Sequence, residues 1–213
     1  FIDTQIIAQA PSQYMWAGIG DTYAKYYEAL ISSRDERLEH FTAVGVAVSQ
    51  MCRDPLLLYS AQALEDHKQG LCTYAVEQVV LAIVVTTGIA SIFLTKDYTP
   101  DYNSGLAHAI FYALTAYPVI EERHLHGEVV AFGILIALLV DGQKEEFEKI
   151  YELNKSIGLP TRLSDIEITP AQWEECLDRI PTMSDVAHYP YKVTRPMLED
   201  AMKTLEERAV SHR

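Results

Sequence analysis

From Gln78 to Thr95 the chain carries no charged residue, and Val79 to Val85 is wholly apolar. A stretch of this kind has to leave water, either in a bilayer or inside a protein core. Thr86-Thr87-Gly88 interrupts it. Neither end carries the aromatic and basic flanks of a membrane interface, and crossing takes about 20 apolar residues. The expectation is a helix from about Cys72 to Leu94 that is buried on all sides of an α-helical core, with no membrane partner.

Proline and glycine divide the rest into further helices. Pro11 and a Gly18-Ile19-Gly20 turn lead into a helix from Asp21 to about Ser32, which puts Asp21 near a helix start. Arg34 to Met51 has apolar residues at helical spacing, and Asp54-Pro55 opens a segment that runs towards His67 and ends at Gly70. A polar loop, Lys96 to Gly105, separates the apolar helix from a new one that bears His108. Glu121 to Gly127 reads as a connection into a helix from Val129 to Val140. An acidic amphipathic helix follows from Lys144 to Ser156, then the turn Gly158-Leu159-Pro160 and two helices beginning near Pro170 and Pro196. No alternating β pattern, internal repeat or low-complexity segment is present, so the fold class is all-α, a multi-helix bundle in one domain over 1–213.

With 213 residues, 17 Lys plus Arg and 30 Asp plus Glu, the formal charge is −13. That sign opposes phosphate backbones and anionic lipid surfaces, so nucleic acid is excluded as a partner. Cys52, Cys72 and Cys176 are odd in number and widely spaced, which indicates free, mostly buried thiols and a cytoplasmic setting. The chain opens on Phe1-Ile2-Asp3-Thr4 without a signal-peptide core and reads as a fragment of something longer.

The chemistry concentrates in Gly18-Ile19-Gly20-Asp21, Ala107-His108-Ala109-Ile110 and His124-Leu125-His126-Gly127-Glu128. One Asp and two His suit a divalent ion: a carboxylate oxygen and two imidazole nitrogens leave a fourth position open for water or substrate. Spacing alone puts Asp21, His108 and His126 on three different elements and leaves open whether they converge. Taken singly, Asp21 reads as a helix-terminal charge and His108 as a packed core histidine.

Three motifs together change that ranking. Ala17 to Thr22, Ala107 to Ile110 and His126 to Gly133 resemble, in order and spacing, the C-terminal domain of the glycerol dehydrogenase branch of the iron-containing alcohol dehydrogenase family. Ile2-Asp3-Thr4 is similar to the end of that family's interdomain segment, Gly158-Leu159-Pro160-Thr161 matches near the C-terminal end, and the likeness covers nearly the whole chain. It implies the helical metal-binding catalytic half of a two-domain, dehydroquinate synthase-like and glycerol dehydrogenase-like fold, whose N-terminal α/β domain binds NAD or NADP and is absent from this chain.

By the same resemblance, Asp21, His108 and His126 are the metal ligands. Iron-dependent relatives carry one more histidine a helical turn after the aspartate, where this chain has Lys25. The three-ligand pattern therefore favours zinc, with iron second. Two departures bear on substrate: Phe111-Tyr112-Ala113 stands where the family often has His-Asn-Gly, and the Lys96–Gly105 loop is long.

The implied reaction is metal-assisted hydride transfer between NAD(P) and a small polyol, alcohol or 2-hydroxy acid. In that scheme Lys25 binds an anionic substrate group, against the alternative of a solvated surface lysine. His124 relays a proton or supports the metal site, against the alternative of a loop histidine bonded to backbone. His40, His67, His188 and His212 have no role, and Glu77 reads as a helix-face carboxylate. A homo-oligomer is expected, because the face turned to the missing domain is left open. Two competing readings are a helical assembly domain without activity of its own and a sugar-phosphate cyclase of the dehydroquinate synthase kind.

Overall fold

The structure is a computed structural model that describes residues 2–96, 99–100 and 102–210. Phe1, His212 and, in the polar loop, Asp97, Tyr98 and Asp101 lie outside the described residues. Among the described residues the bundle is all-α apart from one minimal antiparallel pairing, β1 (Thr95–Lys96) with β2 (Thr99–Pro100), which closes part of the expected loop.

At the centre stands α9, His126–Val140, whose residues 127 and 129–138 are all buried. Helices α2 (Ser12–Ser32), α7 (Leu106–Leu114), α10 (Lys144–Ile157) and α12 (Arg195–Val210) pack around it. A helix apolar on every face has to be surrounded in this way. A second layer is formed by α3 (His40–Ser49) and α4 (Asp54–Lys68), which pack on α6 (Thr87–Leu94) and α5 (Tyr74–Leu81) respectively. Short helices α1 (Thr4–Ile7), α8 (Pro118–Arg123) and α11 (Pro170–Cys176) complete the chain.

Several boundaries follow from local chemistry. Asp54 and Pro55 open α4, which runs to Lys68 as expected. Gly158, at φ 77°, ends α10 in the left-handed region that glycine tolerates. Thr169 accepts from Gln172 N at the start of α11 while the Gln172 side chain accepts from Thr169 N, a reciprocal cap ahead of Pro170. Cys52 and Cys176 are buried and all three thiols are free.

Three expectations are corrected. Gly18-Ile19-Gly20 is no turn: α2 starts at Ser12 and passes straight through it, so Asp21 lies in mid-helix. Nor does a helix start at Arg34, because Asp35 adopts φ 62° and the chain becomes extended before α3 begins at His40. Finally, Tyr74–Leu94 is not buried on all sides. It has a mean hydropathy of 2.0 and length enough to cross a membrane, yet only 28% of its apolar window is buried. Ala75, Val76, Val79, Val80, Ala90 and Leu94 face the core, while Tyr74, Val84, Ile89 and Ile92 are exposed. The continuous helix also widens into a π-turn at Ala82–Thr86. The central position belongs to α9 instead, because small residues along it admit neighbouring backbones.

Candidate metal centre

Close backbone approach is what assembles the site. A Cβ placed on Gly127 would lie 2.0 Å from the carbonyl oxygen of Ala17, and one on Gly20 would lie 2.3 Å from the carbonyl oxygen of Gly127. Only glycine lets α2 and α9 touch in this way. Nearly two turns further along α9, a Cβ on Gly133 would lie 2.8 Å from Cα of Ala107, so α7 also sits against α9 backbone to backbone. Each candidate ligand is the chain neighbour of one such contact: Asp21 follows Gly20, His126 precedes Gly127, and His108 follows Ala107. The close crossings thus bring side chains from three helices to one point.

At that point Oδ1 of Asp21 lies 3.4 Å from Nε2 of His108 and 3.4 Å from Nε2 of His126. One ligand atom from each residue falls within 4.8 Å of the others. Bonds of about 2.0–2.1 Å to a four-coordinate divalent ion imply ligand-to-ligand edges of about 3.3 Å. The two edges at Asp21 meet that requirement, so the residues present fit such an ion.

The electrostatics agree with the geometry. Burial opposes ionisation of Asp21, but hydrogen bonds and charge from His108 and His126 hold its carboxyl well below the usual range. Burial would likewise lower His108, yet Glu28 and Asp21 outweigh it and push its pKa up to about 9. A metal ion binding here would have to displace that proton.

Above the cluster opens a cavity of about 460 Å³ lined by Lys25, Asn103, Ser104, His108, Tyr112, His126, Ser184 and Asp185. Lys25 is only 5% exposed, so the solvated-surface alternative does not hold. Its ammonium donates to the backbone carbonyl of Asn103 and, at 2.8 Å, to that residue's Oδ1. Burial pulls the Lys25 pKa down against the opposite pull of Glu28 and Asp21. The loop is stitched in place on either side: Tyr102 donates to Glu36, and Ser104 donates to Asp185 at 2.7 Å.

His124 is not brought into this cluster. Its Nδ1 lies 2.9 Å from Glu128 Oε1, and its Nε2 faces Glu167 at 3.4 Å. Glu128 also accepts from Leu125 N at the start of α9, which tethers this imidazole to the helix terminus. The expected connection up to Gly127 is shorter than foreseen, since α9 begins at His126 itself.

Sequence reasoning missed Glu28. It lies two turns after Asp21 on the same face of α2, is 0% exposed, and meets both the backbone and the ring of His108. The recurrence of Asp21, Lys25 and Glu28 at helical spacing was the available signal. Phe111, the first residue of the departure from the family's pattern, packs its ring against His126 edge-on, 4.3 Å between centroids at 78°.

No protein-family profile matches the chain. It is 33% identical over 210 residues to hydroxycarboxylate dehydrogenase A of Escherichia coli K12, an alignment that covers 96% of this chain and 57% of that protein. To glycerol dehydrogenase of Thermotoga maritima it is 32% identical over 188 residues, covering 83% and 47%. Its structure superposes on a probable glycerol dehydrogenase from Sinorhizobium meliloti 1021 with a TM-score of 0.83 at 29% identity, over 99% of this chain and 59% of that one. The chain therefore spans about half the length of the curated relatives it matches. Fold and sequence make it a domain of the iron-containing alcohol dehydrogenase family. Within that family it fits the C-terminal domain of the glycerol dehydrogenase-like branch.

Proposed function

We propose that this chain is the metal-bearing half of an NAD(P)-dependent dehydrogenase that interconverts a small alcohol, polyol or 2-hydroxy acid and its carbonyl form. The observation that carries the reading is the convergence of Asp21, His108 and His126, with 3.4 Å edges at Asp21 and with both histidines lining the adjoining cavity. Asp21, His108 and His126 hold the ion, and zinc is the metal of choice. Lys25, standing where iron-dependent relatives place a further histidine, brings a cation and no lone pair to the site.

When bound, a divalent ion supplies Lewis-acid polarisation of an alcohol or carbonyl oxygen. The chain's own residues do the rest. His126 leans on the ring of Phe111, which limits its rotation. Asn103 takes two of the three donors of the Lys25 ammonium and fixes the remaining charge at the cavity wall. A substrate carboxylate placed there would meet a cation one helical turn from Asp21, which favours a 2-hydroxy acid over an uncharged polyol. The naming of a hydroxycarboxylate dehydrogenase among the relatives agrees with this preference. We assign no step to His124, whose Nδ1 is engaged by Glu128 away from the cluster.

NAD or NADP is held by the part of the protein outside this chain. The protein works in the cytoplasm as a homo-oligomer, for which the uncovered apolar side of Tyr74–Leu94 offers a surface. Its charge of −13 argues against nucleic acid and anionic lipid.

The test uses the full-length protein with NAD+ or NADP+, a panel of 2-hydroxy acids and polyols, and the variant Lys25→Ala. Loss of one charge-assisted contact, worth about 1.5–3 kcal/mol, raises KM for the acids by about 10–100-fold and leaves the polyols unchanged. An unchanged KM for 2-hydroxy and 2-oxo acids removes Lys25 from substrate binding, and the absence of any NAD(P)-linked turnover removes the dehydrogenase reading.

A further inference from the structure

The two histidines of the cluster are held in opposite ways. His126 is 43% exposed in its side chain and meets an aromatic ring, whereas His108 is 9% exposed and is gripped twice by one carboxylate. Glu28 Oε1 accepts from the backbone N–H of His108 at 3.1 Å, and Glu28 Oε2 lies 2.6 Å from its ring Nδ1. The side chain of Glu28 is fully buried. A Cβ on Gly105 would lie 3.1 Å from Cγ of Glu28, so the loop backbone packs closely against this side chain. Among the described residues, its ion-pair partner is His108.

A buried carboxylate without compensation is expensive, and this one is arranged to receive two donors from a single residue. That arrangement constrains the imidazole. Once a metal has displaced the second proton and the ring is neutral, Nδ1 bound as a donor to Glu28 leaves the lone pair on Nε2, the nitrogen that faces Asp21 at 3.4 Å.

We propose that Glu28 is the positioning residue of the metal centre: it fixes His108 as the Nδ1–H tautomer, orients its ring, and so presents Nε2 as a ligand. The inference rests on the metal-site reading above. Its chemical requirement is two acceptors side by side, which a carboxylate has and a carboxamide lacks. In Glu28→Gln, either the amide NH₂ faces Nδ1 and drives the proton to Nε2, where it blocks coordination, or the NH₂ faces the His108 backbone N–H, donor against donor.

The experiment compares the 213-residue chain with its Glu28→Gln variant. Circular dichroism reports folding, zinc affinity is read by competition with a chromophoric chelator, and the visible spectrum of the cobalt-substituted protein reports ligand geometry. Zinc-loaded wild type is examined by histidine ¹⁵N NMR. The expected result is a folded variant with zinc affinity lower by about 10–100-fold and an altered cobalt spectrum, together with a proton on Nδ1 of His108 in wild type. A folded variant with unchanged affinity and spectrum overturns the role of Glu28 while leaving the metal site standing. If Glu28→Gln does not fold, the NMR of wild type decides, and an unprotonated Nδ1 overturns the proposal. Wild type that binds no zinc overturns the metal-site reading and this inference with it.

Discussion

Substituting Gly127 by alanine tests whether glycine at the helix crossing builds the site. The new methyl group would start 2.0 Å from the carbonyl oxygen of Ala17 and 3.1 Å from Cβ of Asp21. Backbone atoms block it, so no side-chain rotation gives relief. Restoring ordinary contact at 3.4 Å requires α2 and α9 to part by about 1.4 Å. Overpacking of this kind costs about 1–3 kcal/mol, which for a chain of this size is about 2–4 °C in Tm for each kcal/mol. The larger effect falls on the cluster. Asp21 and His126 flank the crossing on opposite helices, and metal sites tolerate only about 0.2 Å of error in ligand distance. The expected outcome in Gly127→Ala is a lowered Tm and loss of measurable zinc binding by calorimetry. Gly88 supplies the control, since a Cβ there meets nothing within 4 Å and its φ is ordinary. Gly88→Ala should hold or raise stability, by up to about 1 kcal/mol, with zinc binding intact. Unchanged Tm and zinc affinity in Gly127→Ala would refute the reasoning.

Two further expectations concern the scaffold. Asn154 is fully buried, accepts from the Tyr23 hydroxyl at 2.8 Å and donates to the carbonyls of Ala131 and Pro160, which ties α2, α9 and the end of α10 together. Asn154→Ala orphans the buried Tyr23 hydroxyl and should destabilise by about 1–3 kcal/mol or more in urea unfolding; a change within about 0.5 kcal/mol would show the network to be dispensable. Burial acts to raise the Glu146 carboxyl, but hydrogen bonds from Lys149, Tyr27 and Arg53 and the charge of Arg53 draw it down from 4.5 to about 2. A depressed carboxylate stabilises the fold fully above its unfolded pKa of 4.5, and the contribution drains away as pH falls through about 2. Across that window wild type should therefore lose more stability than Glu146→Gln in acid denaturation; parallel curves would exclude this contribution.

The sequence disclosed the parts of this fold whose signals are local. Asp54-Pro55, Gly158 and Thr169-Pro170 act within a turn of themselves, and the ends of α4, α10 and α11 lie where those residues indicate. Gly18 and Gly20 were ambiguous because glycine serves both turns and close helix contacts. Only the position of Gly127 opposite Gly20 shows which applies. The same limit explains the two apolar helices. Hydropathy marks Tyr74–Leu94 and His126–Val140 alike, but Gly127, Ala131 and Gly133 let the second accept neighbours on every side.

At the site, the resemblance supplied Asp21, His108 and His126, and the structure brings these three together. Lys25 joins them at the cavity, while His124 turns to Glu128 and Glu167. Glu28 escaped because its meaning lies in a contact with a residue on another helix. A carboxylate on a helix face says nothing of its partner until α7 is packed against it.

Metal content measured by elemental analysis, on the purified chain and on an Asp21→Asn/His126→Ala double variant after identical zinc reconstitution, tests the metal centre most directly. The expected result is close to one zinc per wild-type chain and none retained by the double variant. No metal in either protein, or equal metal in both, would contradict the assignment of Asp21, His108 and His126 as a metal centre.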